Sequence, residues 1–173
     1  ITRDMPRIER LNDYRPKAVS TMLADDGTVI AKIWDEYRIP VKFDESPQQL
    51  KNAFLAAEDA NFYKHPGIHL VSIARAAYKN FRNKASKQGA STITQQIVKS
   101  LLLSREKTYE RKLKEAILSY KLEKYLSKDE IFAIYLNEIF LGANAYGVKA
   151  AAWMHFRKNL KDLTLGETAF LAG

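Results

Sequence analysis

The sequence predicts a mainly α-helical domain prefaced by a short β-hairpin. Apolar residues recur at helical spacing through most of 46–173, and helix-start signals precede several of those runs. Near the N-terminus, by contrast, apolar runs flank the turn dipeptide Asp26-Gly27. A chain of 173 residues, 46% of them hydrophobic, can bury one sizeable core.

Ser20 to Trp34 is the expected hairpin, folded about Asp26-Gly27. The first helix is expected to start with Ser46 as N-cap, Pro47 at the first helical position and Gln49 completing a capping box, and to end at Pro66-Gly67. From Leu70 the positions Ile73, Ala77 and Phe81 continue a helical stripe until the basic segment RNKASKQGAS, read as a mobile cationic loop. Three further helices follow: one with Ile93, Ile97 and Leu101 on a stripe, one with Leu113, Ile117 and Tyr120, and one opened by the Ser127/Glu130 capping box and stopped at Gly142. Thr164 and Glu167 open a last helix whose apolar run reaches Gly173 without a stop signal, so a C-terminal truncation is expected. Residues 1–45 are accordingly read as a β-like linker segment and 46–173 as the main helical unit, which holds the candidate site residues.

Twenty-eight Lys and Arg against twenty Asp and Glu give a net charge of +8, which favours an anionic partner: nucleic acid, a phospholipid surface or a phosphorylated substrate. The absence of cysteine excludes disulfides and thiolate metal sites. No run approaches the length of a membrane span, and ITRDMPRIER lacks the apolar core of a signal peptide.

Three segments carry candidate chemistry. Leu50, Phe54, Ala57 and Asn61 share one helix stripe, which puts Glu58 at the edge of the buried face and Asp59 further round. A Glu against apolar walls has a raised pKa and suits proton transfer near neutral pH, whereas a solvated helix end would suit the same pair equally. An acidic pair at a helix C-terminus opposes the dipole, and Lys64 and His65 are the residues placed to offset it. In QGASTITQQIVKS, Ser91, Thr92, Gln95, Gln96 and Lys99 crowd hydrogen-bonding groups onto a helix start, either as an anion site or as ordinary capping by Ser91 with a polar outer face. Lys99 lies two turns after Thr92, so both can face one cleft. Glu115 stands three residues after Lys112 and four after Arg111, within reach of either cation; such pairs are also common surface features.

Taken in order, these segments resemble the signature blocks of the peptidoglycan glycosyltransferases, found in class A penicillin-binding proteins and in monofunctional transglycosylases. The blocks are Glu58-Asp59-x-x-Phe62-x-x-His65-x-Gly67; Gly89-x-Ser91-Thr92-Ile93-Thr94-Gln95-Gln96-Ile97-x-Lys99; Arg111-Lys112-x-x-Glu115; and Ile131-x-x-x-Tyr135-Leu136-Asn137 running to Gly142. The resemblance implies a lysozyme-like helical lobe with a smaller membrane-proximal lobe. It implies polymerisation of lipid II on the outer, periplasmic face of the bacterial cytoplasmic membrane, with an anchoring transmembrane helix outside this chain. Glu58 would then be the general base and Glu115 the second acidic residue, near the leaving pyrophosphate. Asp59, Ser91, Thr92, Gln95, Gln96, Lys99, Arg111, Lys112 and Asn137 would bind substrate. A divalent cation such as Mg2+ would bridge pyrophosphate and a carboxylate, Glu115 being the candidate ligand, and the phosphoglycolipid moenomycin would occupy the donor side. The expected partners are lipid II, the lipid-linked glycan strand and the membrane surface, with no nucleic acid.

Two positions depart from the family pattern. His69 stands where an acidic residue is usual, and Arg157 where a turn glycine is usual, a costly replacement if that position has positive φ. An impaired transferase that only binds lipid II, a lysozyme-like hydrolase and a non-enzymatic basic module are the competing readings; the last two leave the polar helix start or the ordered acidic blocks unexplained.

Overall fold

Asp26-Gly27 turns the chain where expected. The Asp26 carboxylate accepts from the Thr28 amide at 2.9 Å and its hydroxyl at 2.6 Å, while Gly27 adopts φ +82°, open to glycine at no steric cost. Strands β1 (Ser20–Leu23) and β2 (Val29–Ile33) pair antiparallel across this turn. The computed structural model describes residues 6, 20–33, 36–69, 91–103 and 108–173; the expected helix from Leu70 and nearly all of the cationic segment after it lie outside the described residues.

The rest of the described chain is helical apart from two short parallel strands, β3 (Tyr37–Arg38) and β4 (Ala145–Tyr146). The helices are α1 (Gln48–Glu58), α2 (Ile93–Leu101), α3 (Tyr109–Tyr125), α4 (Lys128–Glu138), α5 (Val148–Phe156) and α6 (Leu165–Ala172). Helix α2 packs on both α3 and α4, and α1 packs on α6. Their common core contains Leu50, Phe54, Phe62, Ile97, Leu122 and Phe132.

Helix starts agree with the sequence at α4 and α6, where Ser127/Glu130 and Thr164/Glu167 form complete capping boxes. Elsewhere they differ. Ser46 does not cap α1: Pro47 is the N-cap, no side-chain cap bond forms, and the Ser46 hydroxyl turns back to the Lys42 carbonyl. Pro47 has no amide of its own to be capped, which removes part of the need. Helix α1 also ends at Glu58 rather than at Pro66-Gly67, because Phe62–Lys64 form a separate 3-10 turn. Helix α4 stops at Glu138, ahead of Gly142.

The stripe expected for α3 is rotated. Leu113 and Tyr120 are exposed, and the buried face is Glu115, Leu118, Ser119 and Leu122. Burying Glu115 was not anticipated by apolar periodicity, since it needs the two cations described below to accompany it.

Arg157 sits at φ +55°, ψ +33°, the left-handed C-cap of α5. Its guanidinium lies 5.7 Å from the Trp153 ring centre, a contact worth less than the backbone strain at an exposed site. Arg157→Gly is therefore expected to stabilise the fold by about 0.5–1 kcal/mol, read as a rise in the thermal midpoint; a fall would show that the side chain outweighs the strain.

Candidate functional site

Helices α2, α3 and α4, with β3 and β4, wall a cleft of about 1110 Å³. Two groups of polar side chains face it. On one side Lys99, Arg111 and Lys112 supply positive charge; on another, Gln96 reaches toward the end of α1.

Glu115 organises the cations. It is 1% exposed, its Oε1 contacts Lys112 Nζ, and its Oε2 lies 3.5 Å from Arg111 Nη1. One helical turn thus presents two cations from a single buried anion, fixing their positions and leaving net positive charge. Lys112 Nζ also donates to the Ser91 hydroxyl at 3.1 Å, which brings Ser91 to the same place. Lys99, exposed on α2, has no ion pair among the described residues. The polar helix-start segment and the Arg-Lys-Glu segment, far apart in sequence, therefore face one space.

The acidic pair divides in the opposite sense to the sequence expectation. Glu58 is exposed and Asp59 is buried. The helix ends at Glu58, so the chain turns and swings the next side chain inward, which an uninterrupted helix to residue 65 could not do. Glu58 Oε2 accepts from Gln96 Nε2 at 2.7 Å, and Oε1 has no hydrogen bond among the described residues. A hydrogen bond from Gln96 orients this carboxylate.

Asp59 is the hub of a buried knot. It accepts from the Ile93 amide at 3.1 Å and lies 2.9 Å from His65 Nε2, so the end of α1 is tied to the first turn of α2. Of the acidic pair, His65 thus meets Asp59 alone, while Lys64 is exposed. Thr92, not Ser91, caps α2 and forms a capping box with Gln95; its hydroxyl donates to the Gly67 carbonyl at 2.6 Å. Asp59 and Thr92 spend their polar groups in tying α2 to the segment after α1, Gln95 spends its Oε1 in the capping box, and Thr92 does not share the cleft wall with Lys99. Asn137 is likewise committed: its amide exchanges bonds with the Val41 amide and carbonyl at 2.9 Å each, holding the chain after β3 on α4.

Gly67 closes the knot at φ +84°, where an added Cβ would come 2.7 Å from the Ser119 carbonyl oxygen. Gly67→Ala is expected to cost about 2–4 kcal/mol through left-handed strain and overpacking. Chemical denaturation checks it; a loss below about 1 kcal/mol would show that the backbone yields there.

Three features of the cleft were not assigned a role from sequence. Arg38 is buried between Glu36 and Glu138, donating to Glu138 Oε1 at 2.9 Å, and the three residues form a part of the cleft wall in which the carboxylates outnumber the cation. Tyr109, 98% exposed, and Phe140 add apolar rim. Tyr135 lies beneath them with a hydroxyl that lacks a partner among the described residues, and burial together with the Glu58 and Asp59 charges pushes its phenol well above the usual range. The sequence placed Tyr135 in a signature block without a role; its buried polar end is legible only once α1 and α4 are packed.

The residues do not fit a metal held by protein. Both Glu115 oxygens face cations, and no group of three potential metal-ligating side chains occurs among the described residues.

Comparison with known proteins places these features in context. The transglycosylase family profile matches residues 26–173. Penicillin-binding protein 1A of Neisseria gonorrhoeae is 46% identical over 169 residues, covering 98% of this chain and 21% of its own length. Penicillin-binding protein 1A of Rickettsia felis is 44% identical over 174 residues, covering 99% of this chain and 22% of its own. The chain thus spans about a fifth of the length of these curated relatives. A crystal structure of penicillin-binding protein 1A from Haemophilus influenzae aligns with 92% of this chain and 14% of its own at 28% identity and a TM-score of 0.45.

Proposed function

The chain belongs to the transglycosylase family, the peptidoglycan glycosyltransferases, and from that premise we propose that it polymerises lipid II into β-1,4-linked glycan strands by inverting transfer. The carrying observation is that one cleft is lined both by Gln96, which donates to the Glu58 carboxylate at 2.7 Å, and by the cations Arg111 and Lys112 ordered by Glu115.

In this reading the 4-hydroxyl of the acceptor sugar attacks the anomeric carbon of the donor glycan. The free Oε1 of Glu58 takes the hydroxyl proton as the new C–O bond forms. The bond to the lipid pyrophosphate breaks on the opposite face, its electron pair leaving with the phosphate oxygen. Lys99, Arg111 and Lys112 stabilise the charge that develops there, so no acid is needed to protonate the leaving group. Attack from the face opposite an α-linked pyrophosphate yields the β product.

A glycosidase would use one carboxyl as acid and the other as base or nucleophile on the same bond. Glu115 is a poor candidate for either, being buried and engaged by two cations. No step is assigned to a divalent cation, for which the described residues offer no closed ligand set. The substrate is amphiphilic, and the exposed Tyr109 and Phe140 beside the cations suit such a molecule. Action at the outer face of the cytoplasmic membrane follows from the substrate; no helix among the described residues is long and apolar enough to cross a membrane.

Incubating the purified protein with labelled lipid II in detergent, with and without moenomycin, tests the proposal by gel separation of products. A moenomycin-sensitive ladder of glycans is expected. Saturable lipid II binding with no polymer would replace the transferase reading with that of a lipid II-binding protein.

A further inference from the structure

We propose that Tyr135 is a further substrate-contacting residue, whose phenol hydroxyl donates a hydrogen bond to a neutral hydroxyl of the acceptor glycan beside Glu58. This rests on the transferase reading of the same cleft and assigns a contact on its acceptor side. Tyr135 is 2% exposed yet borders the cleft, and its Oη has no hydrogen-bond partner among the described residues. A buried hydroxyl without a partner carries a desolvation cost that a ligand oxygen can remove.

The ring is fixed rather than free to seek another partner. It meets Phe54 edge-on with centroids 6.0 Å apart and stacks on Phe132 at 6.1 Å. Phe54 lies one helical turn before Glu58 on α1, so the contact that seats the ring also relates it to the proposed base.

Charge selects the ligand class. Burial first, and the carboxylates of Glu58 and Asp59 after it, hold the phenol in its protonated form, so it is a donor at neutral pH. Their negative field disfavours a phosphate at this point, while the cations that suit phosphate belong to α2 and α3. A sugar hydroxyl accepts from Tyr135 and can still present its own proton to Glu58.

Tyr135→Phe removes the hydroxyl and retains the ring. The test compares wild type and variant for binding of the soluble disaccharide N-acetylglucosaminyl-N-acetylmuramic acid by NMR titration, for moenomycin binding, for thermal midpoint and for lipid II polymerisation. The expected result is disaccharide affinity weakened about three- to ten-fold, unchanged moenomycin affinity, a midpoint equal to or above wild type, and a raised KM for lipid II. Equal disaccharide affinity in the two proteins, or no disaccharide binding by wild type, would overturn the proposal. So would a midpoint lowered by several degrees, which would mean the hydroxyl is bonded within the fold. If wild type makes no polymer but the affinity difference persists, the transferase reading falls and the glycan contact stands.

Discussion

Glu58→Gln is expected to lower the polymerisation rate by about 10³-fold while leaving the fold intact. The substitution keeps an amide oxygen that can still accept from Gln96 Nε2, so the side chain retains its orientation and loses only its capacity to take a proton. Glu58 is exposed and makes no other hydrogen bond among the described residues, so little folding energy depends on its charge. Initial rates with lipid II, together with thermal melting and moenomycin binding, separate the possibilities. The variant should melt and bind inhibitor as wild type does. Turnover at the wild-type rate would show that another group accepts the proton.

Glu115→Gln is expected to reduce turnover by about 10²-fold for a different reason. The carboxylate sits under Lys112 and Arg111 and holds both in place; a neutral amide releases them. Arg111 is the more affected, because its Nε is already buried without a partner. Moenomycin affinity should fall along with turnover, since a phosphoglycolipid needs the same ordered cations, whereas Glu58→Gln should spare it. Stability should fall by about 1–3 kcal/mol. Added Mg2+ should not restore the rate. Recovery on titrating Mg2+ would show that Glu115 acts through a metal, and a rate equal to wild type would remove it from the site altogether.

Much of this arrangement was legible in the sequence, and the part that was not has a common cause. Local signals located Asp26-Gly27 and the capping boxes at Ser127 and Thr164, because the partners lie within three residues of one another. The spacing of Arg111, Lys112 and Glu115 correctly placed the two cations around one carboxylate. What spacing could not show was burial. Glu115 looked like surface decoration, yet it is buried because α2 packs over α3. Asp59 and Glu58 exchanged environments because α1 ends between them, and nothing in an apolar stripe marks an early stop that is fixed by the His65 and Ile93 contacts of the next residue. Asn137 and Thr92 sit in family signature blocks but spend their polar groups on backbone at Val41 and Gly67. Such residues support the cleft by placing its walls. Arg157 is the reverse case: the sequence flagged a strained position if φ were positive, and the backbone there is left-handed.

The claim that one proton acceptor and fixed cations perform glycosyl transfer, rather than hydrolysis, is tested most directly by the fate of the donor's anomeric carbon. Lipid II turned over in water enriched in oxygen-18 should yield polymers that remain attached to the lipid pyrophosphate and carry no label at their glycosidic bonds, by mass spectrometry. Free disaccharide with one oxygen-18 at its reducing end would mean that water is the acceptor, and would contradict the account.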